Sequence, residues 1–327
     1  MISASRLLTW LFAVMVASLS PVAQADQYPA RPVRLIVPFP AGTSIDSASR
    51  ILARHMAKEI GVPVVVENKP GAGGTVGAVA AARAEPNGYT IFLGSVATLI
   101  GKVAQPSAAF DPVKDFTPVS LVYKSAGILT VSSDSPVKSA EDLVEWARRH
   151  PGALNYYSGG VGTAAHLLGA TFARKERIEA VHVPVRTVGD MLPQLTDGVP
   201  HFAFFTGAAV RPYIDSKRLR PLAVSTSARM PQLPNVPTLL ELFKDADMVH
   251  ESWLGIWAPA NTPTPIVRRL FTAVVKAVNT ADFRNAMIQQ SQQAVASGSP
   301  EEFGKYISSE YEQLRRVAKA VQISSSN

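Results

Sequence analysis

Short apolar runs that end in proline or glycine alternate with stretches of helical spacing along most of this chain. That alternation restricts the fold more than any other feature. Val33-Arg34-Leu35-Ile36-Val37, stopped by Pro38 and Pro40, reads as a buried strand. Beyond the loop Ala41–Ser44, the positions Ala48, Ile51, Leu52, His55, Met56 and Ile60 fall on one helical face, and Gly61 and Pro63 end the helix. A second strand at Val64-Val65-Val66, a loop at 68–74, an alanine-rich helix, the Pro86-Asn87-Gly88 turn and a strand at Tyr89–Leu93 follow. This βαβαβ order predicts an α/β fold in which helices flank a mostly parallel sheet.

A second series begins near Leu129. Ser139 and Asp142 form a capping-box pattern with Asp in place of Glu, opening a helix that stops at Pro151-Gly152. Strands are predicted at Leu154–Tyr157, Ala180–Val183, His201–Phe205, Pro221–Val224 and Ser252–Trp257, with helices at Thr163–Lys175 and Val188–Leu195. Ser299-Pro300-Glu301-Glu302 combines a cap, a first-turn proline and a capping-box glutamate, and so opens a terminal helix running to about Val321. Two series followed by a returning strand imply two lobes joined by two crossings, near Ala126–Ser132 and Phe243–Ser252. Paired extended crossings make a hinge with a cleft beside it. The expected lobes are 26–128 with 251–327, and 129–250.

Composition narrows the chemistry. With 47% hydrophobic and 17% charged residues, the 327-residue chain is too apolar for a disordered protein. Lacking cysteine, it has no disulfide framework, thiolate nucleophile, iron–sulfur ligand or lipid-anchor cysteine. Arg6, the apolar run Leu7–Val16 and the small-x-small ending Ala23-Gln24-Ala25 read as a signal peptide over 1–25, too short for a membrane span. The expectation is therefore an exported, periplasmic protein. Its net charge of +7 comes from scattered pairs such as Lys217-Arg218 and Arg268-Arg269, not from a basic stripe, which argues against nucleic acid as a partner.

Two glycine-containing strand-to-helix turns stand out. Phe39-Pro40-Ala41-Gly42-Thr43-Ser44-Ile45-Asp46 would present unpaired N–H groups at a helix N-terminus, where an anion is favoured. Thr43 and Ser44 add hydroxyls, and Asp46 either acts as a base or fixes the turn through loop N–H groups. Ser158-Gly159-Gly160-Val161-Gly162-Thr163-Ala164-Ala165-His166 is the second such turn. It formally matches a dinucleotide fingerprint, but the ribose-binding acid is missing: the next strand ends in Pro184-Val185-Arg186. It reads as an N–H nest for a carboxylate or phosphate, with Thr163 as a further donor. The 71–77 loop lacks both that fingerprint and a Walker lysine. No nucleophile elbow or HExxH motif occurs, and the histidines His55, His150, His166, His182, His201 and His250 have no metal spacing. No cofactor, metal or catalytic residue is expected.

Read together, several stretches resemble one family. They are Val37-Pro38-Phe39-Pro40-Ala41-Gly42 with Asp46, Val66-Glu67-Asn68-Lys69-Pro70-Gly71-Ala72-Gly73-Gly74, Asp111-Pro112-Val113-Lys114-Asp115-Phe116, Gly162-Thr163 with His166, His182-Val183-Pro184, Pro234-Asn235-Val236-Pro237-Thr238 and Trp253-Leu254-Gly255. The family is the solute-binding receptors of tripartite tricarboxylate transporters, often called Bug-type receptors. The resemblance implies a two-lobed type II periplasmic binding protein that holds a small carboxylate (dicarboxylate, amino acid or aromatic acid) between its lobes. Such a receptor acts as a monomer and delivers its ligand to membrane permease subunits. By match, the first-lobe contacts are Phe39, Ala41, Gly42, Thr43 and Asp46, and the second-lobe contacts are Ser158, Gly159, Thr163 and His166. Ser95 and Thr98 after the third strand, and Phe205, are further cleft positions.

Where the family usually has two or three glycines before the aspartate, this chain has Gly42 followed by Thr43 and Ser44. Threonine tolerates positive φ poorly, so either this turn is rebuilt or a hydroxyl takes the place of a bridging water. Ligand sensing in place of uptake is an alternative role for the same fold. An exported acid–base enzyme using Asp46, His166 and Ser158 is another, but it needs tuned groups within hydrogen-bond reach, and the spacing supplies no such pair.

Overall fold

The computed structural model describes residues 28–160, 163–185, 187–195 and 198–320. The signal segment expected at 1–25, together with Val161, Gly162, Arg186 and the residues after Ala320, lies outside the described residues.

β1 (Val33–Val37), α1 (Ser44–Ile60), β2 (Val64–Asn68), α2 (Thr75–Ala82) and β3 (Thr90–Ser95) form the predicted βαβαβ unit. β1 lies between β2 and β3 and is parallel to both. α1 forms because Thr43 caps it, accepting the Asp46 N–H, while Ala48, Leu52, Ala53, Met56 and Ile60 bury one face. Gly61, at φ 81°, ends it in the left-handed conformation that glycine adopts without strain.

α3 (Val96–Ala104) follows β3 without a loop. β4 (Phe116–Ser132) is a 17-residue strand that serves two sheets. The second unit contains α4 (Ala140–Arg149), β5 (Leu154–Ser158), α5 (Ala164–Glu176), β6 (Ala180–Pro184), α6 (Val188–Met191), β7 (Phe202–Thr206), α7 (Gly207–Asp215), β8 (Leu219–Val224) and α8 (Leu239–Phe243). β9 (Glu251–Pro259), α9 (Thr264–Val278), α10 (Ala281–Gln289), β10 (Gln293–Ala294) and α11 (Pro300–Ala320) complete the chain. The caps are those expected from sequence: Asp142 N–H to Ser139 Oγ at 3.0 Å, and Glu302 N–H to Ser299 Oγ at 3.1 Å.

The strand order is β2-β1-β3-β9-β4 in one sheet and β4-β7-β5-β6 in the other, with β8 also paired to β4. The sheets are mixed where mostly parallel ones were expected. Pairs within each βα series are parallel, but every pair involving β4 or β9 is antiparallel. The reason is topological: β9 returns from the second unit and β4 leaves for it, so both run against their neighbours. Along β4, Phe116–Ala126 pairs with β9, and the pairing passes to β7 at Gly127.

In the first lobe, Leu35, Leu52, Ile256, Leu270 and Phe283 pack on one side of the sheet, and Phe92, Trp253, Trp257 and Phe303 on the other. The second lobe is centred on Phe172, Phe202 and Phe204. Leu167 of α5 joins the first-lobe cluster that contains Val96 and Leu314, so the lobes touch across the cleft.

Candidate functional site

The first glycine turn is locked from within. Asp46 is 4% exposed. Its carboxylate accepts from the Gly42 N–H (2.9 Å), Arg50 Nε (3.0 Å) and Asn68 Nδ2 (2.9 Å). Asn68 Nδ2 also donates to the Phe39 carbonyl at 3.1 Å, tying the end of β2 to the turn. Burial opposes ionisation of Asp46, but the hydrogen bonds from Arg50, Gly42 and Asn68 outweigh it and push the pKa down to about 2. Such a carboxylate stays ionised and is a poor proton acceptor at neutral pH. Thr43 lies at φ −75°, so Gly42 alone takes a positive φ in this turn, at 79°. The substitution of family glycines is thus absorbed by giving Thr43 the capping role. The Gly42 N–H is spent on Asp46, and Ala41 and Gly42 are exposed.

The second turn is also internally bonded. Ser158 Oγ lies 2.7 Å from His182 Nε2, donates to the Gly160 carbonyl at 3.1 Å and accepts the Gly160 N–H at 3.1 Å. Thr163 caps α5, accepting the His166 N–H at 3.3 Å and donating to the Gly160 carbonyl at 2.8 Å. Gly159 packs beside the Thr163 methyl. The His166 and His182 rings lie 4.2 Å apart, and Tyr156 stacks against both. Burial lowers the His166 pKa, and burial followed by the nearby His166 pushes His182 down to about 4. Both rings are neutral at neutral pH, so this turn has neither a titrating base nor a fixed charge.

Between the turns lies a cavity of 480 Å³. Phe39 and Ile45 close it from the first turn, Thr163 and Ala164 from α5, Ala97 and Ile100 from α3, and Tyr123, Ser252 and Leu254 from the crossing strands. Among the described residues, no charged side chain lines it. Ser95 stands at the junction of β3 and α3, 3% exposed, and forms a capping box with Thr98 there. Thr98 Oγ accepts the Ser95 N–H at 3.2 Å and so holds the start of α3 without lining the cavity. Phe205 lines a recess of 40 Å³ that shares Ala164 and Ser252 with the cavity and also contains His250. Burial pushes the His250 pKa down to about 4.

Of the residues singled out from sequence, Phe39, Ser95 and Thr163 therefore converge on one space, with Phe205 beside it. Ala41, Gly42, Thr43, Asp46, Thr98, Ser158, Gly159 and His166 build the surrounding turns. Sequence reasoning missed Ile100, Tyr123, Ser252 and Leu254. The signal for the last two was present: residues 252 and 254 share one face of a strand, because side chains alternate with period two. A larger groove of 950 Å³ runs along α11 past Lys102, Asp111 and Arg315, but none of the candidate ligand contacts named from sequence lines it.

Residues 48–323 match the tripartite tricarboxylate transporter family receptor. The chain belongs to that family. It is 33% identical over 312 residues to a Pseudomonas protein of the tcbD-tcbE intergenic region, covering 95% of this chain and 93% of the other. It is 30% identical to protein BugT of Bordetella pertussis, with 94% of each chain covered. Among solved structures it is similar to the periplasmic binding protein BugD (27% identity, TM-score 0.72, covering 91% of this chain and 99% of that one). It is also similar to an R. palustris protein with adipate (29%, TM-score 0.74, covering 90% and 99%). MatC from Rhodopseudomonas palustris with bound malate is a third (27%, TM-score 0.71, covering 89% and 99%). The family is one of transporter receptors, and BugD is a periplasmic binding protein, so the chain is a solute-binding receptor and not an enzyme.

Proposed function

We propose that this protein is an exported receptor that captures a small organic carboxylate in the interlobe cavity and delivers it to the permease subunits of a tripartite transporter. The mature chain begins after Ala25 and works in the periplasm as a monomer. Its lobes are 26–128 with 251–327, and 129–250. Phe39, Ser95 and Thr163 touch the ligand. The remaining turn residues, Ala41, Gly42, Thr43, Asp46, Ser158, Gly159 and His166, hold those contacts in position, and Phe205 borders them.

One observation carries the reading: an uncharged cavity between the lobes, flanked by the first turns of α3 and α5, in a family whose solved relatives hold adipate and malate. Helix N-termini hold anions through N–H groups and the dipole, with no need of arginine or lysine. Hydrogen bonds to a charged group contribute about 1.5–3 kcal/mol each, so a few of them, less the closure cost, give a dissociation constant of about micromolar. Isothermal titration of the ligand-free protein with dicarboxylates, amino acids and aromatic acids is expected to give saturable heat with at least one acid and none with neutral sugars. Absence of heat with every acid would remove the proposal.

A further inference from the structure

Resting on that reading, we infer that His182 is a positioning residue for acid capture: through its bond to Ser158 it holds the second glycine turn in the shape that aims the start of α5 into the cavity. His182 does not itself line that cavity. Its place is set by the sheet. β5 and β6 run parallel, with Tyr156 opposite His182 and Ser158 opposite Pro184, so the side chains at 156, 158 and 182 share one face. Along that face the imidazole reaches Ser158 Oγ, 2.7 Å from Nε2. The same ring packs on Tyr156 and His166, with centroids 5.0 Å and 4.2 Å away.

From Ser158 the chain of contacts runs to the cavity wall. Ser158 is fully buried; its hydroxyl donates to the Gly160 carbonyl and accepts the Gly160 N–H, each at 3.1 Å. That carbonyl also accepts the Thr163 hydroxyl at 2.8 Å and the Thr163 N–H at 3.2 Å. Thr163 caps α5 and, with Ala164, lines the cavity. His182, Ser158, Gly160 and Thr163 are therefore linked in that order by hydrogen bonds. Gly160 lies at φ 123°, where glycine moves freely and other residues do not. The bonds among Ser158, Gly160 and Thr163 are local and can shift together. His182 ties them to the neighbouring strand. Without that tie, ordering the turn costs binding free energy although no ligand contact is removed.

Two substitutions separate the bond from the ring. His182→Gln loses the ring but keeps a polar end near the position of Nε2. Its amide can donate or accept, so it serves whichever tautomer the imidazole holds. His182→Phe keeps a ring against Tyr156 and His166 and loses the bond. The measurement is calorimetry at neutral pH with adipate, malate, glutamate and benzoate, on preparations checked for folding by circular dichroism. For the tightest of the four acids, His182→Phe should weaken binding about tenfold or more, and His182→Gln less than about threefold. Should His182→Phe fail to fold, His182→Leu takes its place. Ser158→Ala breaks the same link, so adding it to His182→Phe should weaken binding no further than the worse single change. A Gln variant as weak as the Phe variant, a Phe variant as tight as the wild type, or additive losses would overturn the positioning role and leave the receptor reading intact. Silence of the wild-type protein toward all four acids removes both.

Discussion

Ala97→Trp is expected to abolish acid binding while leaving the protein folded. Ala97 is half-buried in the first turn of α3 and faces the cavity. An indole there enters space that the ligand needs and does not overpack either lobe core, so the folding penalty stays small. Affinity for the best wild-type acid should fall by about a hundredfold or more, equivalent to about 2.7 kcal/mol. The thermal midpoint should move by no more than about 2 °C, which corresponds to a ΔΔG of about 1 kcal/mol in a chain of this size. Titration calorimetry and thermal unfolding on the same preparation read both quantities. Retained affinity would show that the acid sits elsewhere.

Ser225→Ala is the second large effect, and it acts on the hinge. Ser225 is fully buried and bonds both crossings at once. Its Oγ accepts the Gly127 N–H at 2.9 Å and donates to the His250 carbonyl. Its backbone N–H donates to the Gly127 carbonyl and its carbonyl accepts from the His250 N–H, each at 2.9 Å. Alanine keeps the backbone pair but leaves the Gly127 N–H and the His250 carbonyl without their hydroxyl partner. Each orphaned buried group costs about 1–3 kcal/mol. Equilibrium denaturation in urea should therefore show a loss of about 2–4 kcal/mol. A loss below about 0.5 kcal/mol would mean that the crossings are held together by strand pairing alone.

What the sequence made legible was local. The βα alternation, the caps at Ser139 and Ser299, and the stop at Gly61 each rest on signals within a few residues, and the structure repeats them. β4 was hidden because Pro118, Lys124 and Gly127 interrupt its apolar pattern. Its pairing partners, β9 and β7, lie far along the chain. α3 was hidden for a different reason. Val96–Ala104 is a nine-residue apolar run with Gly101 inside it, too short for its pattern to mark it as a helix rather than a buried strand.

The candidate site was legible as two turns and not as a cavity. Sequence offered Asp46 as either a base or a lock on the loop N–H groups, and its bond to the Gly42 N–H decides for the lock. Ser95, Ile100, Thr163 and Leu254 come from separate segments, and only the closed packing of two lobes brings them around one space.

A crystal structure of the protein with its tightest-binding acid tests the central claim most directly. The account predicts an acid inside the cavity, its carboxylate oxygens within hydrogen-bond reach of Thr163 or of the first-turn N–H groups of α3 and α5. An acid seated in the groove beside Lys102 and Arg315, or one held only by Ala41 and Gly42 at the rim, would contradict it.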